Sequence, residues 1–436
     1  MPPRKRGKVD GGASPEAAGG GIGELPDDAL HHVLSFLPAE EAVRTSVPAR
    51  RWRQLWKSAT GLRIGCGDDG DEPPSVDKLR QFVNHLLLLR KRDSSLDTCE
   101  LRFSGCKDHS LREIQWDKDH QLCVNLWIRH VLDCQIRMLR LETDDPYPFA
   151  FQLDNLPLVS HHLTRLALVG VWLTNSFCNF SNFPNLEQLE IGNSAFHCVR
   201  KILSRSLKRL SITNYCFFDH GFPTVIGAPN LVSLRLDVHF RTVPVRGSMP
   251  SLKEAFVRNA MEDCDDQDCF SCHSCVMDSD EDDYNNGDDN DININNMRLL
   301  LEGLSKADNL TLMSDYDGNI FHKDFEWCPT FYNLRALLLN EWWFEDPDFH
   351  TLSCILKHSP VLENLTILLF SKGPKHNVEM IGRYHQMERP DTISKHLKAI
   401  EVKCKAVDER VHEVLKFLGA LGIPILISSS RRRENI

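Results

Sequence analysis

The stretch CDDQDCFSCHSC sets Cys264, Cys269, Cys272 and Cys275 close together, with His273 among them. Thiolates and an imidazole at such short spacing have the donor chemistry to close around a zinc ion. Structural zinc sites, however, usually pair two CxxC knuckles across a longer loop. Here three of the cysteines crowd together inside an acidic segment that cannot bury enough apolar surface to fold by itself. The reading adopted is a loop without bound metal, and the four cysteines stand as the alternative. Downstream, DDYNNGDDNDIN misses the calcium-loop pattern. Counted from Asp282, Tyr284 and Asn293 occupy places that need an oxygen ligand and a bidentate glutamate.

GCGDDG, from Gly65 to Gly70, fits GxGxxG, but its two aspartates would repel a phosphate and DEPP follows where a helix must begin. It reads as a linker. No GxSxG, HExxH or phosphate-binding loop is present in the sequence. The expectation is a chain without cofactor or catalytic residues, whose work is binding.

The net charge of -10 is unevenly spread: residues 259–297 hold thirteen acidic residues and no lysine or arginine. That insert alone exceeds the whole imbalance, leaving the remainder slightly basic and close to neutral, which argues against a nucleic-acid partner. No run reaches the roughly 18 apolar residues of a membrane span, and the first residues lack the apolar core of a secretory signal. The nucleus, the cytoplasm or both are therefore expected, with the fifteen cysteines as reduced thiols. Arg4, Lys5, Arg6 and Lys8 fit either a nuclear import signal or a solubilising tail.

RTSVPARRWRQLW, Arg44 to Trp56, mixes four arginines with two tryptophans. The elements around it decide what that mixture does. Leu30, Val33, Leu34 and Leu37 recur at helical spacing and predict a helix from Asp27 to Leu37, with Pro26 before it and Pro38 ending it. Val43 and Val47 predict a second helix over Glu40–Val47. Trp52, Leu55 and Trp56 form one face of a third, with Arg50, Arg51 and Arg53 as a solvated rim. A unit this small seldom makes a core alone, so its surplus apolar surface points to a protein partner.

In Leu25-Pro26-Asp27-Asp28, Val33-Leu34, Leu37, the run Val43 to Val47 and the run Arg51 to Trp56, residues 24–63 resemble the F-box in its plant form. The resemblance implies docking on a Skp-type adaptor and, through it, a cullin scaffold. Carried onto this sequence, the adaptor-binding residues are Leu25, Pro26, Val33, Leu34, Leu37, Val43, Val47, Trp52 and Trp56, shared between contact and packing. Pro48 stands where the family usually has an aliphatic residue, so a bent junction is expected.

Further along, one phrase recurs: IRMLRL, LTRLAL, LEQLEI, LKRLSI, LVSLRL, LKEAFV, LRALLL, LENLTI and LKAIEV, with DNLTLM as a weaker copy. The near-constant period is that of leucine-rich repeats, each contributing a short strand and a return segment. The asparagine usual at the ninth position is missing from most copies. An α/β fold is expected: a short all-helical F-box followed by an irregular leucine-rich-repeat solenoid. Positions three, five and seven of each phrase would face the concave surface, giving Arg165, Gln188, Glu190, Arg209, Thr213, Arg235, Asp237, Glu254 and Arg258 as candidate contacts for an unknown protein substrate.

A helix around Val76, Leu79, Phe82, Val83 and Leu86 is expected to cover the start of the stack, capped by Ser75. At the other end, His396–Ile425 resembles the FBD domain of plant F-box proteins and implies a C-terminal cap, whose helix carries Val407, Val411, Val414, Leu415 and Leu418 and ends at Gly419. The boundaries read 1–23 tail, 24–63 F-box, 64–74 linker, 75–375 repeats interrupted by a disordered insert at 259–297, 376–427 FBD-like cap and 428–436 tail. The resemblance implies the substrate-recognition subunit of a ubiquitin ligase. A repeat protein with a degenerate F-box and no ligase role is the alternative.

Overall fold

The computed structural model describes residues 25–47, 50–65, 76–91, 96–103, 118–143, 151–153, 158–214, 216–218, 224–238, 245–247, 249–259, 300–314, 328–344, 349–370, 394–405 and 407–429. Thirteen parallel strands pair in strict chain order to form one sheet. They are β1 (Gly61–Gly65), β2 (Thr98–Arg102), β3 (Met138–Glu142), β4 (Arg165–Val169), β5 (Gln188–Gly192), β6 (Arg209–Thr213) and β7 (Ser233–Val238), then β8 (Glu254–Asn259), β9 (Asn309–Ser314), β10 (Ala336–Asn340), β11 (Asn364–Leu369), β12 (Ala399–Cys404) and β13 (Ile425–Ser429). Each recurring phrase supplies one strand. Leu210, Ile212, Leu234 and Leu236, at positions four and six, are almost wholly buried, as are their equivalents from β2 to β12. Fully burying one such side chain stabilises by about 1.5–3 kcal/mol, and the stack makes that burial continuous.

One backbone device holds the stack in step. The carbonyl of Glu187 accepts the N–H groups of both Lys208 and Arg209, and the carbonyls of Arg137, Thr164, Lys208, Val232, Lys253, Asp308 and Arg335 do the same for the next repeat. Asparagine adds to it in front of the phrase. Asn185, Asn230 and Asn333 donate side-chain hydrogen bonds to the carbonyls of His161, Arg205 and Lys306 in the repeat before. Small polar residues at strand ends carry out further pairing: Ser194 Oγ accepts from the Val171 N–H at 3.2 Å, while Asn340 bonds both the N–H and the carbonyl of Ser314.

The return segments pair in two smaller parallel sheets, one of Phe151–Gln152, Val171–Thr174, Ala195–His197 and Phe217–Phe218, the other of Lys201–Leu203, Thr224–Gly227 and Val245–Arg246. Gly170 turns the chain between β4 and Val171. Its φ of +71° and the Thr143 carbonyl against its Cα leave no room for a side chain. Elsewhere the return is helical. Among the described residues the α-helices are α1 (Asp27–Leu34), α2 (Ala39–Arg44), α3 (Val76–Leu89), α4 (Lys118–Asp133), α5 (Leu300–Leu304), α6 (His350–Lys357) and α7 (Glu409–Ala420).

Several expectations are corrected. The stack begins earlier than the Ile136 phrase, since β1 and β2 precede it, and β1 crosses the expected boundary between head and linker. α1 stops at Leu34 rather than Leu37, where Ser35 Oγ bonds back to the His32 carbonyl at 2.6 Å. α2 spans Ala39–Arg44, not Glu40–Val47. The third helix is instead two tight 3-10 turns, Arg50–Arg53 and Leu55–Ser58. Arg51 and Arg53 stay exposed, as expected of a rim, and the Arg51 guanidinium also reaches back to the Leu25 carbonyl and the Asp27 carboxylate, both at 2.6 Å. At the far end Asp408 caps α7 by accepting from the Val411 N–H at 2.8 Å. α7 runs through Gly419, and Gly422, at φ +66°, provides the turn. The segment expected as a cap supplies β12, the strand that the LKAIEV phrase predicts, and β13, which ends the same sheet. Pro48, Ser75 and the four cysteines of the acidic insert lie outside the described residues.

Candidate functional site

Two surfaces follow from this fold. The first is the head. Leu30 and Leu34 of α1 are buried in one continuous core with Leu55, Trp56, Ala59 and, on β1, Leu62 and Ile64; α1 contacts the Leu55–Ser58 turn and α2 contacts β1. The head is thus seated on the first strand rather than free-standing. Arg90, at the end of α3, closes the joint with a buried 2.8 Å bond to the Ala59 carbonyl; burial lowers its pKa. Gly61 lies so close to Ser35 that any Cβ there would displace it.

Among the charged residues that the head leaves outside are several apolar ones. Leu25, Val33, Phe36 and Val47 are 40%, 41%, 56% and 79% exposed, and Pro26 is exposed beside them. The structure therefore divides the expected adaptor-binding set. Leu25, Pro26, Val33 and Val47 are presented to solvent; Leu37, Val43 and Trp52 are half-buried against the core. Leu34 and Trp56, at 1% and 8% exposed, are interior packing rather than contact residues, because α1 turns the Leu30/Leu34 edge of its stripe toward the 3-10 turns. Phe36, which the sequence reading did not include, is exposed as well. Once α1 stops at Leu34, Phe36 swings outward, edge-on to His32 and beneath the Arg63 guanidinium.

The second surface is the solvent face of the sheet. In-register pairing assembles the nine candidate residues into three rows across β4 to β8. Arg165, Gln188, Arg209 and Glu254 share one row, Glu190 and Arg235 the next, and Thr213, Asp237 and Arg258 the third. All nine are at least partly exposed. Arg235 pairs with Asp237 at 3.1 Å and lies over the Phe256 ring, 4.2 Å from its centroid.

The same face extends on both sides of those nine. Toward the head it is an ionic lattice: Glu100 forms ion pairs with Arg63 and Arg102, and Glu142 with Arg102 and Arg140. Beyond β7 it turns apolar, with half-buried Phe256, Met313, Leu338 and Leu368 presented by β8 to β11 between Thr311 and Thr366. β12 restores charge with a Lys403–Glu401 pair. Arg140, Glu142 and the apolar residues were legible on the solvent side of their phrases, and the sequence reading did not include them; Arg63, Glu100 and Arg102 lie on the two strands that no phrase marks.

A small helical head with a packed inside and apolar residues on its outside, joined to an in-register parallel sheet, defines a protein-binding module on a repeat body. Residues 22–61 match the F-box domain, a module that in general docks a Skp-type adaptor. The chain carries this domain at its N-terminal end, and its relatives are plant F-box proteins. It is 28% identical over 386 residues to the meiotic F-box protein MOF of Oryza sativa subsp. japonica, covering 83% of this chain and 72% of that one. An F-box/FBD/LRR-repeat protein of Arabidopsis thaliana is 24% identical over 393 residues, 81% of this chain and 79% of the relative. An F-box/LRR-repeat protein of the same plant is 30% identical over 227 residues, covering about half of each chain.

Proposed function

We propose that this chain is the substrate-recognition subunit of a cullin-based ubiquitin ligase, built as a leucine-rich-repeat solenoid behind an F-box. The supporting observation is the asymmetry of the head. Its inside is complete, with Leu30 and Leu34 buried, yet five apolar residues on a segment of F-box sequence remain uncovered. Exposed apolar clusters of this kind favour protein association. Leu25, Pro26, Val33, Phe36 and Val47 dock the adaptor, which brings the cullin scaffold. The chain then supplies proximity rather than bond chemistry, holding a target lysine at high effective concentration near the ubiquitin-conjugating enzyme.

The target lies across the solvent face of the sheet. Its recognition segment pairs apolar side chains with the Phe256, Met313, Leu338 and Leu368 strip and places polar groups over Arg209, Arg235 and Glu254. Pull-down of a Skp-type adaptor by the full-length chain tests the first half, with a Leu25→Ala/Pro26→Ala variant as comparison. Capture that the double substitution abolishes supports the reading. A wild-type head that never captures the adaptor removes it and leaves a repeat protein with a degenerate F-box.

A further inference from the structure

Away from both surfaces, Cys328, Cys354 and His358 converge where the segment entering the β10 repeat passes α6. Their donor atoms lie within 4.8 Å of one another, and all three side chains are half-buried. Cys354 sits on α6 and His358 is its C-terminal cap, four residues on, a spacing that stacks side chains on one helix face. Cys354 Sγ is 3.8 Å from His358 Nδ1. In a tetrahedral zinc site, bonds of about 2.3 Å to sulfur and 2.0 Å to nitrogen put those donors roughly 3.6 Å apart. The pair is held close to ligand spacing by the fold itself.

The third donor arrives on a separate segment that the backbone fixes in place. The Phe331 N–H donates to the His358 carbonyl at 2.8 Å, and the Phe331 ring is fully buried. Ser359 Oγ donates to the Ile355 carbonyl at 2.7 Å and secures the end of α6. Thus both walls are anchored by contacts that do not involve the three donors. His358 Nδ1 also lies 2.9 Å from the Cys354 carbonyl. Ligation through Nδ1 exchanges that hydrogen bond for a metal bond and leaves the ring proton on Nε2.

We propose that Cys328, Cys354 and His358 bind a soft divalent cation of the zinc class. Two thiols and one imidazole are the donor set that such ions select over magnesium or calcium. Binding releases both thiol protons to solvent. Exposed His350, one helical turn before Cys354, or a water molecule completes the tetrahedron. The ion would clip the segment before β10 to α6.

The test uses the full-length chain with Cys264, Cys269, Cys272 and Cys275 changed to serine, so that the acidic insert cannot contribute. The reduced, metal-stripped protein is titrated with cobalt(II) and then zinc(II). A cobalt–thiolate charge-transfer band saturating at a single equivalent, and displaced by zinc, is expected. Cys328→Ser or Cys354→Ser should weaken binding more than a hundredfold, beyond the about 10–100-fold loss typical of outer-shell partners. Where a variant fails to fold, zinc protection of Cys328 and Cys354 from alkylation, mapped by mass spectrometry on the parent chain, replaces that comparison. Failure to bind cobalt, a band that survives either substitution, absence of zinc protection, or a metal-independent disulfide between the two cysteines overturns the assignment.

Discussion

Replacing Phe36 with alanine separates docking from folding. The ring is 56% exposed. A phenylalanine offers roughly 200 Å², so about 110 Å² is open to a partner. Allowing for what alanine retains, its loss at about 25 cal/mol per Å² weakens docking by about 2 kcal/mol, or roughly thirtyfold in Kd. Among the described residues the ring meets His32 edge-on, at 4.9 Å, and the Arg63 guanidinium at 5.7 Å. Exposed contacts of those kinds contribute about 0.5–1 kcal/mol each, so the thermal midpoint should shift little. Leu34→Ala is the counterpart: at 1% exposure its truncation opens a cavity, with an expected cost of about 2–5 kcal/mol in stability. Calorimetric titration of the purified adaptor into each full-length variant gives the affinities, and thermal melts give the stabilities. If Phe36→Ala remains folded and binds like wild type, the exposed face of the head is not the docking face.

Three further outcomes are expected. Asn340→Ala removes both bonds to the Ser314 backbone in a buried setting, and denaturant unfolding should show a loss of about 1–3 kcal/mol for the groups left unpaired. Alkali should destabilise the fold. Burial pushes the Cys178 and Cys216 thiols up to about 12 and raises that of Cys99 as well. Above the ordinary thiol value the unfolded chain releases protons that the folded chain retains, so each thiol costs about 1.4 kcal/mol per pH unit. Unfolding midpoints measured from pH 8 to 10 should fall accordingly, and a Cys178→Ala/Cys216→Ala variant should fall less steeply; equal slopes would refute the attribution. Finally, Leu338→Glu, on the apolar strip, should shorten the list of proteins crosslinked to the sheet face while the proteasome is blocked, with adaptor capture unaffected.

Much of this was legible because burial imposes a pattern. The alternation in LEQLEI and LVSLRL leaves little choice about which side faces the core, and parallel pairing then assembles Gln188, Arg209 and Glu254 into one row. The first two strands escaped detection because Ala59 and Cys99 stand where the phrase expects leucine, yet both are buried as a leucine would be. Phe36 was hidden by a helix end that periodicity cannot place: Leu37 continues the apolar stripe, but Ser35 bonds back and the chain leaves the helix. The thiol–imidazole cluster joins Cys328 to residues 26 and 30 positions away. Neither local spacing nor repeat period links them, and only the packing of the entering segment against α6 does.

The forked hydrogen bonds that step from repeat to repeat also span the acidic insert, where the Lys253 carbonyl receives Asp308 and Asn309 as if nothing intervened. β8 and β9 pair residue for residue across the same junction. A fluorescent protein grafted between Asn259 and Leu300 would therefore ride on the molecule without shifting the phase of either half. That junction is the natural place to attach a reporter for following the intact chain in living tissue.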